Sequence, residues 1–167
     1  MKYALILTLA LFANFASADD DFGFYFGGGS AATINDDCGD FCDSDGYALE
    51  AGYYFNKIVG IEAKIAKTEF DSDPDFETEI SYVGVNIGHT FNTSWVRLYG
   101  KVGHFRAKEI DNYYNDSVSD SNLALGIGAT FTPFEHLSGF YIKAESMVSE
   151  FLTDDVGFAH IGVGYQF

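Results

Sequence analysis

Basic residues are scarce in this sequence: nine Lys and Arg stand against 25 Asp and Glu over 167 residues, a formal net charge of −16. A chain so acidic repels phosphates, which excludes nucleic acid as a partner. Cysteine is limited to Cys38 and Cys42, both inside "NDDCGDFCDSDG". Zinc needs four soft ligands and no His stands close in sequence, so an exported chain is expected to join this pair in a local disulfide. Proline is limited to two residues. Long apolar runs are missing past the N-terminus. The one that exists, "YALILTLALF", follows Met1-Lys2 and precedes Ala16-Ser17-Ala18. That is the pattern of a secretory signal peptide over residues 1–18, with cleavage expected before Asp19. The run is too short for a membrane-spanning helix, which needs about 20 apolar residues.

Hydropathy alone would make the remaining chain, residues 19–167, a soluble secreted domain. An aromatic content of 17% and 18 glycines disagree. So does the alternation. Apolar and polar residues alternate over eight stretches: 22–33, 47–56, 58–70, 80–91, 95–106, 122–132, 139–149 and 157–167. Each is a predicted strand. Most have ten or more residues, against about 5–6 for strands of soluble proteins, and a tilted strand crossing a bilayer needs about 9–11. The connections alternate too. "NK", "NTS" and "PFEHL" are short, whereas "INDDCGDFCDSDG", "DSDPDFETE", "AKEIDNYYNDSVSDS" and "EFLTDDV" are long and acidic. Short turns at one end and long loops at the other are the asymmetry of an outer-membrane barrel.

Which face carries the charge decides the solvent. Val59, Ile61, Ala63 and Ile65 share one parity; Gly60, Glu62, Lys64 and Ala66 share the other. The same split sets Val96, Leu98 and Val102 against Arg97, Tyr99 and Lys101, and Ile142 and Ala144 against Lys143 and Glu145. A soluble barrel would turn the charged parity to water. Two features favour the reverse. The charged parity interleaves glycine with Tyr, Lys, Arg and Glu, as a narrow crowded interior requires. It is also nearly charge-balanced, since Glu50, Glu62 and Glu145 can meet Lys64, Arg97, Lys101 and Lys143, and buried acids without partners would be costly. Aromatic residues on the aliphatic parity gather at the short-turn end and form a membrane-interface girdle; Tyr165 and Phe167 belong to it.

The segments "FYFGGGSA", "EAGYYFNKIVGIEAKIA", "VRLYGKVGHFRAK", "GIGATFTPFEHLSGFYIKAE" and the terminal "IGVGYQF" together resemble the small eight-stranded outer-membrane proteins: the OmpA transmembrane domain, OmpX and the wider outer membrane protein β-barrel domain group. The resemblance implies that the C-terminal aromatic, with Tyr165 before Phe167, is read by the outer-membrane assembly machinery.

Catalytic readings are weaker. His160 shares the interior parity with Glu145 and Lys143, but no Ser stands in an elbow context to complete a triad, so an interior histidine is expected. His104 and Arg106 are expected at the outer rim, near lipopolysaccharide phosphates. In the acidic loop, Asp43-Ser44-Asp45-Gly46 approaches a calcium loop, but Phe41 fills the first ligand position. "FGGGSA" has no Lys and is no phosphate loop.

The expectation is therefore an all-β, eight-stranded antiparallel up-and-down transmembrane β-barrel. It is exported to the bacterial outer membrane, monomeric, free of cofactors, and packed inside by polar side chains too tightly for a general diffusion pore. Its function is expected to be structural or surface-interacting through the acidic loops, with outer-membrane lipid, lipopolysaccharide and a surface ligand as partners. A narrow channel, a lipid A-modifying enzyme and a soluble secreted ligand-binding barrel are the alternatives.

Overall fold

The protein, as a computed structural model, is described over residues 23–35, 44–70, 73–91, 96–114, 116–132, 139–151 and 154–167. Residues 1–18, Cys38, Cys42 and His136 lie outside the described residues. The chain forms β1 (Gly23–Asn35), β2 (Ser44–Tyr54), β3 (Val59–Phe70), β4 (Asp73–Thr90), β5 (Val96–Asp111), β6 (Asp116–Phe131), β7 (Phe140–Phe151) and β8 (Asp154–Gln166). Each pairs antiparallel with its neighbour in sequence, and β8 closes on β1 from Tyr25↔Gln166 to Asn35↔Val156. Closure leaves no edge in the barrel wall, the one way a sheet can satisfy its backbone groups in lipid.

The side-chain period of two then sorts the residues by face. Ile61, Ile65, Val83, Ile87, Leu98, Leu125, Ile127, Ile161 and Val163 all stand exposed on the outer wall, while Glu62, Lys64, Arg97, Lys101, Lys143 and Glu145 are buried inside. An apolar outer band this continuous is stable only against lipid. The β2–β3 turn is fixed by Asn56, whose Oδ1 accepts hydrogen bonds from the N–H groups of Ile58 and Val59, each at 2.8 Å. At the same end the Phe167 N–H donates to Phe24 O (2.9 Å), and its ring meets Phe26 and Tyr165 at centroid separations of 5.7 and 5.1 Å.

Two features depart from the sequence reading. First, the interior is not polar throughout. Beyond the charged layer, towards the long-loop end, Ile80, Tyr82, Phe105, Met147, Val156 and Phe158 pack as an apolar cluster across the lumen. Phe105 and Phe158 sit on the inward parity and have no lipid to face, so they fill the cylinder with carbon. Second, much of two expected loops is strand. Strand β4 begins at Asp73 rather than at Ile80, β5 runs to Asp111, and β6 starts at Asp116. The β4–β5 ladder holds from Phe76↔Asp111, and the β5–β6 ladder from Asp111↔Asp116. The acidic side chains hide the alternation there, but each backbone finds a partner ready-made on the neighbouring strand. On its other side β6 pairs with β7 only from Ala124↔Ser149, so residues 116–123 and their β4–β5 partners rise past the end of the β6–β7 ladder.

Candidate functional site

At mid-height of the lumen, β2 brings in Glu50, β3 Glu62 and Lys64, β5 Lys101, β7 Lys143 and Glu145, and β8 His160. All are inward-facing and all are buried. Lys143 Nζ stands at the centre, donating to Glu50 Oε2 (2.7 Å) and to Glu62 Oε2, with Glu145 Oε2 3.3 Å away. Lys101 Nζ donates to Glu62 Oε1 (2.5 Å) and Glu145 Oε2 (3.1 Å). Lys64 Nζ pairs with Glu50 Oε2 (3.1 Å) and Glu145 Oε1, and donates to His160 Nδ1 (3.2 Å). Opposite charges held this close in a buried site interact strongly, and each ammonium spends its donors on more than one carboxylate.

Sequence reasoning missed the tyrosines. Tyr25 Oη donates to Glu62 Oε2 (2.9 Å), Tyr99 Oη to Glu145 Oε2 (3.1 Å), and Tyr141 Oη to Glu50 Oε1 (3.1 Å). Each buried carboxylate thus receives a phenol as well as ammonium groups. The available signal was parity, since these tyrosines share the glycine-rich inward face. The rings also lie over the cations: Lys101 Nζ is 4.4 Å from the Tyr82 centroid and Lys143 Nζ 5.4 Å from that of Tyr25, a further favourable term in a desolvated site.

Arg97 stands apart, nearer the short-turn end. Its guanidinium donates to Ile58 O (3.0 Å) and Asn86 Oδ1 (2.9 Å) and stacks 4.5 Å from the Tyr54 centroid. The structure therefore groups Glu50, Glu62, Lys64, Lys101, Lys143, Glu145 and His160, and leaves Arg97 outside their contacts.

The chemistry open to the group is limited by its own cations. Glu50, Glu145 and His160 bring one ligand atom each within 4.8 Å of one another, a spacing that could hold a metal ion. Lys64 Nζ sits among those three atoms, and its positive charge serves the carboxylates as an ion would. Glu145 and His160 face each other across β7–β8, 3.8 Å apart, with the imidazole 1% exposed; the ring accepts from an ammonium and is buried in the lumen.

The exposed polar surface is different in kind. At the tip of the β5–β6 hairpin Tyr113 and Tyr114 are 74% and 76% exposed, with rings edge-to-face at 4.8 Å. Asp111 Oδ1 accepts both of their N–H groups, at 2.9 and 3.0 Å, which clamps the turn. Below, on the outer wall, Tyr47, Lys67, Glu79 and Lys108 form one row across β2–β5. Arg106 and then His104 follow at two-residue steps down β5, both exposed. Lys67 pairs with Glu77 (2.5 Å) and Lys108 with Glu79 (3.8 Å).

The similarity of the chain to known proteins fits this arrangement. The attachment invasion locus protein of Yersinia enterocolitica is 28% identical over 134 residues, spanning 75% of this chain and 74% of that one. The crystal structure of Ail from Yersinia pestis superposes with a TM-score of 0.59 at 26% identity, over 87% of this chain and 97% of that one. Ail has also been crystallised with the heparin analogue sucrose octasulfate. Neisserial surface protein A shares the fold at a TM-score of 0.62, with 15% identity over 86% of this chain and 97% of that one. The profile of the outer membrane protein beta-barrel domain matches residues 3–167, and the chain belongs to that family of bacterial outer-membrane barrels.

Proposed function

We propose that this protein is a surface-interaction protein, with the barrel as a rigid anchor and the β4–β5–β6 extension as its contact element. The observation that carries the reading is the tip. Two adjacent tyrosines stand almost fully in solvent on a hairpin laddered down into the membrane and fixed by Asp111. Exposed aromatics are expensive to leave in water, and Tyr anchors binding well because it offers large area at low entropic cost. Asp111 and Asp116 pair at the base of the tip, and Glu109 and Asp120 lie further down the same hairpin, so a basic protein surface is the complementary partner. The names of the Yersinia relatives, attachment invasion locus proteins, agree with a contact role. A lumen closed by ion pairs and an aromatic plug supports contact over conduction.

Replacing Tyr113 and Tyr114 together by Ser should lower adherence of bacteria displaying the protein to host-cell monolayers by about tenfold or more, the loss of a hot spot of at least ~1.4 kcal/mol. The heat-modifiable band of the barrel on gels should not change. Adherence equal to that of the parent strain would refute the assignment.

The remaining roles belong to the same reading. Residues 1–18 direct export and are removed, and Cys38 and Cys42 join in the loop between β1 and β2. The barrel is a monomer, with His104 and Arg106 meeting lipopolysaccharide phosphates at the outer rim. The assembly machinery reads Tyr165 and Phe167, whose aromatic cluster with Phe26 is exposed on the outer wall. Deleting Phe167 should reduce the heat-modifiable band in the outer-membrane fraction several-fold at equal synthesis. An undiminished band would remove the terminal residue from the signal.

A further inference from the structure

Among the described residues, the lumen holds one positive charge more than its carboxylates neutralise. Lys64, Lys101 and Lys143 are matched by Glu50, Glu62 and Glu145 through the contacts above, and His160 accepts from Lys64, as a neutral ring does. Arg97 is the excess cation. It is 8% exposed, and its contacts among the described residues are neutral: the carbonyls of Lys57 and Ile58, Asn86 Oδ1, and the faces of Tyr54 and Tyr99. A buried charge compensated by dipoles alone is costly.

The groups around it are donors left over. Arg97 Nη1, Asn86 Nδ2 and Thr130 Oγ1 are each buried without a hydrogen-bond partner among the described residues. Asn86 presents its oxygen to Arg97 Nη2, so its amide N–H groups are the unused ones. Thr130 is the register partner of Arg97 across β5–β6 and of Lys143 across β6–β7, so it shares an inward row with both. Buried donors in native structures almost always find an acceptor, and here only an acceptor with a negative charge also balances the guanidinium.

The structure assigns to Arg97, with Asn86 and Thr130, a binding site for a small inorganic anion at the short-turn end of the barrel lumen. All three residues are at least nine-tenths buried, at 8%, 1% and 9% exposure. The occupant must therefore be compact and able to shed its water, which fits a halide better than an organic acid. The site is independent of the surface contacts and makes the anion part of the folded barrel.

The test compares unfolding of the full barrel in detergent, by urea, in sodium chloride and in sodium gluconate at the same ionic strength. Chloride that binds only the folded state shifts the unfolding equilibrium by about 100-fold at 100 times its dissociation constant. The parent barrel should unfold at higher urea in chloride than in gluconate. Arg97→Met should show no such difference, and Thr130→Val a smaller one. Should Arg97→Met fail to fold, Thr130→Val carries the comparison, because it removes a single donor and no charge. A crystal grown in sodium bromide should show an anomalous peak beside Nη1. Equal parent midpoints in the two salts, an equal chloride effect in both variants, or only water beside Nη1 in bromide would each overturn the site.

Discussion

Lys143→Met should lower the unfolding free energy of the barrel by about 3–5 kcal/mol, the range for stripping one partner from a buried ion-pair network. Met keeps nearly the volume of Lys, so the loss would be electrostatic rather than a cavity. Lys143 is the hub: its ammonium touches Glu50, Glu62 and Glu145, and its side chain is 1% exposed. Without it those carboxylates keep Lys64 and Lys101, leaving three acids to two ammonium groups in a site whose side chains are at most 1% exposed. The phenols of Tyr25, Tyr99 and Tyr141 still donate, but a neutral donor offsets only part of a charge. Urea unfolding in detergent micelles measures the change. Adding Glu62→Gln restores the balance and should recover a substantial part of the loss; an unchanged midpoint in the single variant would show that the network contributes nothing. Lys101→Met should act in the same direction through Glu62 and Glu145.

The network also explains what kind of anchor the barrel is. Ion pairs cross the lumen between β2, β3, β5 and β7, so strands far apart in sequence are tied through the centre as well as around the wall. The β5–β6 hairpin continues two of the wall strands without a break. Its tyrosine tip is therefore held on a ladder, and a partner binding there loses little to ordering of the loop.

Much of this was legible in the sequence, because the membrane barrel is unusually explicit in its pattern. An inward residue and an outward residue face different media, so Ile61, Glu62, Ala63 and Lys64 reveal their faces by chemistry alone. The pattern failed where both faces meet the same medium. Past the buried Ala107, the described residues from Lys108 to Ser121 are partly or fully exposed whichever way they point, so "AKEIDNYYNDSVSDS" reads as loop although the backbone is paired up to Asp111 and from Asp116. The apolar plug was obscured for the opposite reason. Phe105 and Phe158 are carbon-rich like the lipid face, and only their parity places them inside. The tyrosine–carboxylate bonds depend on shear between strands up to 91 residues apart, which period alone does not fix. Arg97 was grouped with the other interior charges because parity gives the face of a residue and not its height in the lumen.

Gly128→Ala tests the other device that packs this interior, the placing of glycine beneath tyrosine. Tyr99 on β5 and Gly128 on β6 are register partners, and a methyl group on Gly128 would run into the Tyr99 ring and hydroxyl, with no backbone atom among its nearest contacts. The ring cannot retreat cheaply. Its hydroxyl donates to Glu145, and its face lies against Arg97 and Lys143 at 5.3 and 5.6 Å. Overpacking of a filled core costs about 1–3 kcal/mol, and displacement of the phenol from Glu145 adds about 1 kcal/mol or more for a bond to a charged acceptor. The Gly128→Ala barrel should thus unfold at clearly lower urea than the parent. The second-site change Tyr99→Leu removes the clash, so in the Gly128→Ala background it should restore stability even though the same change in the parent is destabilising. That reversal of sign distinguishes a steric pair from two independent losses. Additive losses would mean that the glycine serves the bend of the strand and not the ring beside it.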